Sequence, residues 1–95
     1  MRDYELTVLL KPDLKDKELD KTVNDLQALL EKNGAKVKSR KDPAKKILAY
    51  EIKKVREAFY VYFELEISPE KTAVVDEKLK LDEKVLRYLL VNHVR

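Results

Sequence analysis

From Ala58 to Ile67 the chain alternates without a break. Phe59, Val61, Phe63, Leu65 and Ile67 fall on one face of an extended segment, and Tyr60, Tyr62, Glu64 and Glu66 fall on the other. Successive side chains of a strand point to opposite faces, so this segment buries one side and leaves the other to polar and aromatic groups. The feature demands a sheet with one packed face and one open face.

The flanking segments supply the rest of such a fold. Arg2 to Leu10 also alternates, with Tyr4, Leu6, Val8 and Leu10 on one side, and Pro12-Asp13 stops it. Leu19, Val23, Leu26 and Leu30 then recur at helical spacing. Asp16 is placed to cap this helix, Glu18 complements the helix dipole, and Asn33-Gly34 closes it in a left-handed turn. Ala35 to Ser39 starts a second strand that resumes at Lys45, broken by Arg40-Lys41-Asp42-Pro43. Two forms remain open for this region: one long strand with a protruding bend, or a strand, a loop and a strand. Pro43 cannot donate to a ladder, which puts the segment at a sheet edge or outside it. A turn is expected over Lys54–Glu57.

Beyond the central strand, Ser68-Pro69-Glu70 is a helix start, with Ser as N-cap and Pro in the first position. Val74, Val75 and Leu79 mark a short second helix, and Val85 to Val94 a final strand with apolar residues on both faces. Strand, helix, strand, strand, helix, strand is the order of the ferredoxin-like split β-α-β arrangement. In that α+β fold a four-stranded antiparallel sheet carries two helices on one face. Residues 1–95 are read as a single such domain.

Composition narrows the function. There is no cysteine, which excludes disulfides, thiolate nucleophiles and zinc–thiolate sites. No apolar run is long enough to span a bilayer, and the N-terminal residues lack a signal segment, so cytoplasmic residence without membrane association is expected. A net charge of +3 permits nucleic-acid binding without arguing for it, because phosphate contact depends on where the charges lie. Catalysis has little to work with. The single His93 reads as an exposed strand residue, no glycine-rich phosphate loop or nucleophile elbow occurs, and the carboxylates interleave with lysines as on a solvated face. Neither an enzyme, a metal site nor a cofactor is expected.

Two lysine pairs, Lys45-Lys46 and Lys53-Lys54, bracket Ile47-Leu48-Ala49-Tyr50-Glu51-Ile52, in which Leu48, Tyr50 and Ile52 share one face at strand spacing. The segment reads either as an edge strand whose lysines guard against aggregation or as a strand whose lysines reach RNA phosphates. Arg56 to Phe63 partly echoes the RNA-recognition-motif octapeptide, matching at the basic residue, Tyr60, Val61 and Phe63. It carries Glu57 in place of the glycine and Ala58 in place of the first aromatic, so Tyr60 and Tyr62 form half a base-stacking platform or a protein interface.

The run Ala44 to Lys54, followed by Ala58-Phe59-Tyr60-Val61, resembles the bacterial small-subunit ribosomal protein six family. That family's signature has a glycine, a basic pair, a variable residue, Leu-Ala-Tyr, a proline and Ile. The resemblance extends to Met1-Arg2, Tyr4-Glu5, Pro12-Asp13-Leu14, Gly34-Ala35 and Val85 to Val91, which is nearly the whole chain. Ala44 replaces the family glycine and Glu51 the proline. The resemblance implies a non-catalytic protein that binds the central domain of small-subunit ribosomal RNA together with small-subunit ribosomal protein eighteen; a monomer is expected when the chain is free. Carried over by position, Arg2, Tyr4, Lys45, Lys46, Lys53, Lys54 and Arg87 would meet RNA. The open face and second-strand edge, with Leu48, Tyr50, Ile52, Tyr60 and Tyr62, would meet the partner protein. A generic single-strand RNA binder and a dimeric ligand-sensing regulatory domain are the alternatives.

Overall fold

The computed structural model describes residues 2–92. Four strands and two helices follow in the expected order: β1 (Arg2–Leu10), α1 (Asp16–Lys32), β2 (Lys36–Ile52), β3 (Val55–Ile67), α2 (Thr72–Leu81) and β4 (Val85–Asn92). The strands form one sheet in the order β2-β3-β1-β4, with all three pairings antiparallel. β3 and β1 are therefore central, and β2 and β4 form opposite edges.

The alternation seen in the sequence sets the core. Leu6, Val8 and Leu10 of β1 and Val61, Phe63, Leu65 and Ile67 of β3 are buried together with Leu19, Val23, Leu26 and Leu30 of α1 and Val75 and Leu79 of α2. Both helices thus cover the same face. Burying a large aliphatic or aromatic side chain contributes about 1.5–3 kcal/mol, which makes this the dominant stabilising cluster. A second, smaller cluster lies on the other face: Leu9, Ile52, Ala58 and Leu86, flanked by Leu48, Val55 and Tyr60.

Helix ends differ in part from expectation. The N-cap of α1 is Lys15, whose carbonyl accepts from the Leu19 amide at 2.7 Å; Asp16 is instead the first helical residue. Asp16 still serves the helix, because its charge sits with Glu18 in the first turn. At the other end Gly34 has φ +90°, and the amides of Gly34 and Ala35 donate to the carbonyls of Glu31 and Leu30. That pairing is a Schellman motif, which satisfies carbonyls the helix leaves free. Ser68 occupies the cap position before a 3-10 turn, Pro69–Lys71, without a side-chain bond, and α2 proper begins at Thr72.

β2 is one long strand rather than two. Its ladder with β3 slips between Val37 and Ser39, between Lys41 and Ala44 at Asp42-Pro43, and between Ile47 and Ile52. The turn lies earlier than expected, at Lys53-Lys54, and β3 already starts at Val55. Ile52 pairs with Val55, and both turn residues have positive φ, 49° and 68°. A two-residue hairpin matches the twist of its strands when both residues are left-handed, a geometry usually given to Asn and Gly. Here lysines take it. β4 is described to Asn92; His93 and Val94, expected in the same strand, lie outside the described residues.

Candidate interface on the open face and hairpin arm

The last slip of β2 shapes the site. Ile47 pairs with Glu57 and Ile52 with Val55, so Leu48 to Glu51 stand opposite Arg56 alone. Strand excess on one side of a ladder bends that side and increases its twist. The bent arm leans over the open face. Leu48, Ala49, Tyr50 and Ile52 line a cleft of about 320 Å³ with Thr7 and Leu9 of β1, Tyr60 of β3, and Arg87 and Leu89 of β4. The arm thereby reaches across β3 and β1. The Arg87 Nη1 donates to the Tyr50 hydroxyl at 3.0 Å, and the guanidinium carbon lies 5.9 Å from the Tyr50 ring centre.

A row of cations over aromatic rings continues along β2 and β3. Lys46 Nζ sits 5.2 Å from the Tyr60 ring centre and Lys41 Nζ 5.3 Å from that of Tyr62. Both pairs are on the open face, where Ala44 opposes Tyr60 and Lys41 opposes Tyr62. Lys45 points to the other side, 5.6 Å from the Phe59 ring and 3.7 Å from the Glu57 carboxylate. The lysine pair therefore does not act as one unit. Such contacts contribute about 0.5–1 kcal/mol where exposed and hold the ammonium groups in place.

The opposite end of the open face is acidic. Asp3, Glu5, Glu64 and Glu66 gather there, with Lys38 3.2 Å from Asp3 and 3.6 Å from Glu66 and the Ser39 hydroxyl 3.1 Å from Glu64. The hydrogen bond to Asp3, with the neighbouring carboxylates, raises the Lys38 ammonium above its ordinary value. Partial burial, then the hydrogen bond and charge of Glu5, raise the Tyr62 phenol.

Charge is thus strongly polarised. Residues 40–56 hold seven Lys and Arg against two acidic residues, +5 in a chain whose net charge is +3. The rest of the molecule is net negative. Lys45, Lys46, Lys53, Lys54 and Arg87 all lie at the hairpin end, where Leu9 opposes Arg87. Arg2 and Tyr4 do not join them. Arg2 pairs with Ile67 at the acidic end, roughly 23 Å from Leu9 at strand rise. Tyr4 turns towards the helices and packs against the main core. Leu48, Tyr50, Ile52 and Tyr60 meet in the cleft, while Tyr62 stands beside a second hollow formed with Lys41, Asp42 and Lys46. Glu51 is exposed and does not line the cleft.

Sequence reasoning passed over two members of this surface, Lys41 and Leu89, and the helix-side role of Arg40. The sequence places Lys41 within an interruption of the strand, although the aromatic Tyr62 of the next strand is a signal for it. Arg40 is turned to the helix side, where it donates to Asn24 at 3.0 Å and Gln27 at 2.8 Å on α1 and is tied down. Leu89, 62% exposed, forms the far wall of the cleft and is visible in the sequence only as one apolar residue among several.

Comparison with known proteins agrees with this architecture. Residues 3–92 match the family described as Ribosomal protein S6. The small ribosomal subunit protein bS6 of Nostoc sp. is 38% identical over 88 residues, covering 93% of this chain and 82% of the relative. That of Fusobacterium nucleatum is 36% identical over 91 residues, covering 96% and 97%. The crystal structure of 30S ribosomal protein S6 from Thermotoga maritima superposes with a TM-score of 0.91 at 18% identity, covering 97% of this chain and 87% of that one. The split β-α-β fold is the same. The relatives bear the name of a structural constituent of the small subunit, a cytoplasmic particle, rather than of an enzyme. By sequence and by fold, this chain belongs to the bacterial ribosomal protein S6 family.

Proposed function

We propose that this chain, as a small-subunit ribosomal protein, binds the central domain of small-subunit ribosomal RNA jointly with small-subunit ribosomal protein eighteen. The observation that carries the reading is the +5 charge of residues 40–56, set beside an apolar cleft on an otherwise acidic sheet face. Lysines and arginines at the hairpin end meet backbone phosphates, which position a protein on RNA without reading bases. Leu48, Tyr60 and Leu89 offer the partner protein an apolar contact. The chain acts as a single domain and is a monomer until it meets that partner. Affinity of the chain alone for RNA is weak, because few phosphate contacts release few counterions.

The base-stacking alternative is disfavoured by the lysines over Tyr60 and Tyr62, which occupy ring faces that a base would need. The test is a titration of a central-domain RNA fragment with and without protein eighteen, at two salt concentrations. Salt-sensitive binding that tightens sharply with the partner supports the reading. Binding that is equally tight without the partner, or none in either case, removes it.

A further inference from the structure

Arg87 of β4 and the hairpin arm of β2 come from opposite edges of the sheet, yet they meet at the same end of the open face. Beyond the apolar packing of the arm, one polar side chain, Tyr50, joins them. Between Ile47 and Ile52 the arm has no register partners on β3, so pairing with that strand anchors it at its two ends, where Ile47 pairs with Glu57 and Ile52 with Val55. Its apolar residues rest in the cleft, an interaction without direction. The bond from Arg87 Nη1 to the Tyr50 hydroxyl supplies the direction, since a hydrogen bond is directional and this one joins the two edge strands.

We propose that Tyr50 is a positioning residue that clasps the hairpin arm to Arg87 and so assembles one phosphate-binding surface from β2 and β4. The inference rests on the RNA-binding reading above and gives Tyr50 a different task from contact with the partner protein. The chemistry fits. The clasp occupies one of the several N–H donors of the guanidinium and leaves the others in their planar fork for a phosphate. The Tyr50 hydroxyl accepts from Arg87, and its own proton remains available to a phosphate oxygen. Arg87 is exposed and has no carboxylate partner among the described residues, so it reaches a phosphate without breaking an ion pair. Lys46, held over Tyr60, stands beside the same cleft and adds a second cation to that end. Pre-ordering of this kind raises affinity by reducing what must be immobilised on binding.

The experiment compares the full chain with Tyr50→Phe, Arg87→Ala and the double variant, each in complex with protein eighteen, in RNA titrations across a salt series. Phe keeps the ring in the cleft and removes only the hydroxyl. Tyr50→Phe is expected to weaken RNA binding about three- to tenfold while leaving partner affinity within about twofold. It should also lower the slope of log affinity on log salt by about one contact. In the Arg87→Ala background the same change should have no further effect. An unchanged RNA affinity and slope for Tyr50→Phe, with wild-type binding intact, overturns the clasp and leaves the RNA reading standing. Loss of partner affinity with an unchanged slope also overturns it, and returns Tyr50 to the protein interface. Absence of RNA binding by the wild-type pair overturns both.

Discussion

Tyr88 on β4 donates its hydroxyl to the carboxylate of Asp76 on α2, whose backbone carbonyl lies 3.3 Å from the same oxygen. The contact fastens an edge strand to the shorter helix, which otherwise buries only Val75 and Leu79. Lys80 approaches the same carboxylate at 3.1 Å, one helical turn on.

The pair titrates in opposite directions. The hydrogen bond from Tyr88, then the contact with Lys80, hold the Asp76 carboxyl below its ordinary value. Partial burial, then the bond to Asp76, push the Tyr88 phenol up to about 12. A raised phenol contributes stability below the unfolded value of about 10 and loses it as pH climbs towards the folded value. The lowered carboxyl contributes above the unfolded value of about 3.9 and loses it as pH falls through the folded one. Tyr88→Phe should therefore cost about 1 kcal/mol at neutral pH. The difference between wild type and variant should shrink between about pH 10 and 12. Urea midpoints at both pH values check this, and a constant gap would refute it.

The turn at Lys53-Lys54 places two lysines in the left-handed region, at φ 49° and 68°. A side chain with a Cβ is disfavoured there by about 1–2 kcal/mol per residue, and Asn-Gly is the pair suited to the geometry. Replacing both, Lys53→Asn with Lys54→Gly, should raise stability by about 1 kcal/mol after the entropy cost of glycine. The same double variant should weaken RNA binding by the pair and lower its salt slope, since two hairpin charges are gone. Stability and affinity moving in opposite directions is the expected signature, read by denaturation and titration on one preparation.

Gly34 combines two constraints. Its φ is +90°, and a Cβ built on it would lie 3.0 Å from the Lys71 side-chain Cδ and 3.2 Å from Nζ. The lysine tail can swing aside, so backbone strain decides the outcome. Gly34→Ala should destabilise by about 1–2 kcal/mol, and adding Lys71→Ala should recover only a small part. Full recovery in thermal unfolding would mean that the contact, and not φ, was the obstacle.

Lys45 and Lys46 are adjacent in sequence and on opposite faces of the sheet. Lys46→Ala should weaken partner-dependent RNA binding more than Lys45→Ala does, because Lys46 stands over Tyr60 beside the cleft while Lys45 is paired with Glu57. Competition titration of the two variants distinguishes them, and equal losses would show that both reach RNA.

The architecture was legible because its signals are local and repeated. Strict alternation in β3 and β1, the stripe of Leu19, Val23, Leu26 and Leu30, and the Asn33-Gly34 exit each carry their structural meaning within a few residues. The hairpin arm was not legible. Nothing in Lys53-Lys54 announces a left-handed turn, so the turn was expected downstream at Lys54–Glu57, where charged residues cluster. The slip between Ile47 and Ile52 depends on that turn, and the meeting of Tyr50 with Arg87 depends on the slip. A hint existed: Arg87 is the one charged residue between Val85 and Val91, which marks the face of β4 that is left open. The scatter of the expected RNA residues over two ends has a similar cause, since sequence position alone does not separate Arg2, beside Asp3 and Glu66, from the hairpin charges.

The two apolar clusters on either side of the sheet have different owners. The helix-side cluster closes on itself, because residues from both helices and the two central strands bury one another. The open-face cluster has only strand residues in it and no helix over it. The sheet behaves as a chassis with one fitted panel: packing closes the helix side, and the other side keeps apolar side chains such as Leu89 at its surface.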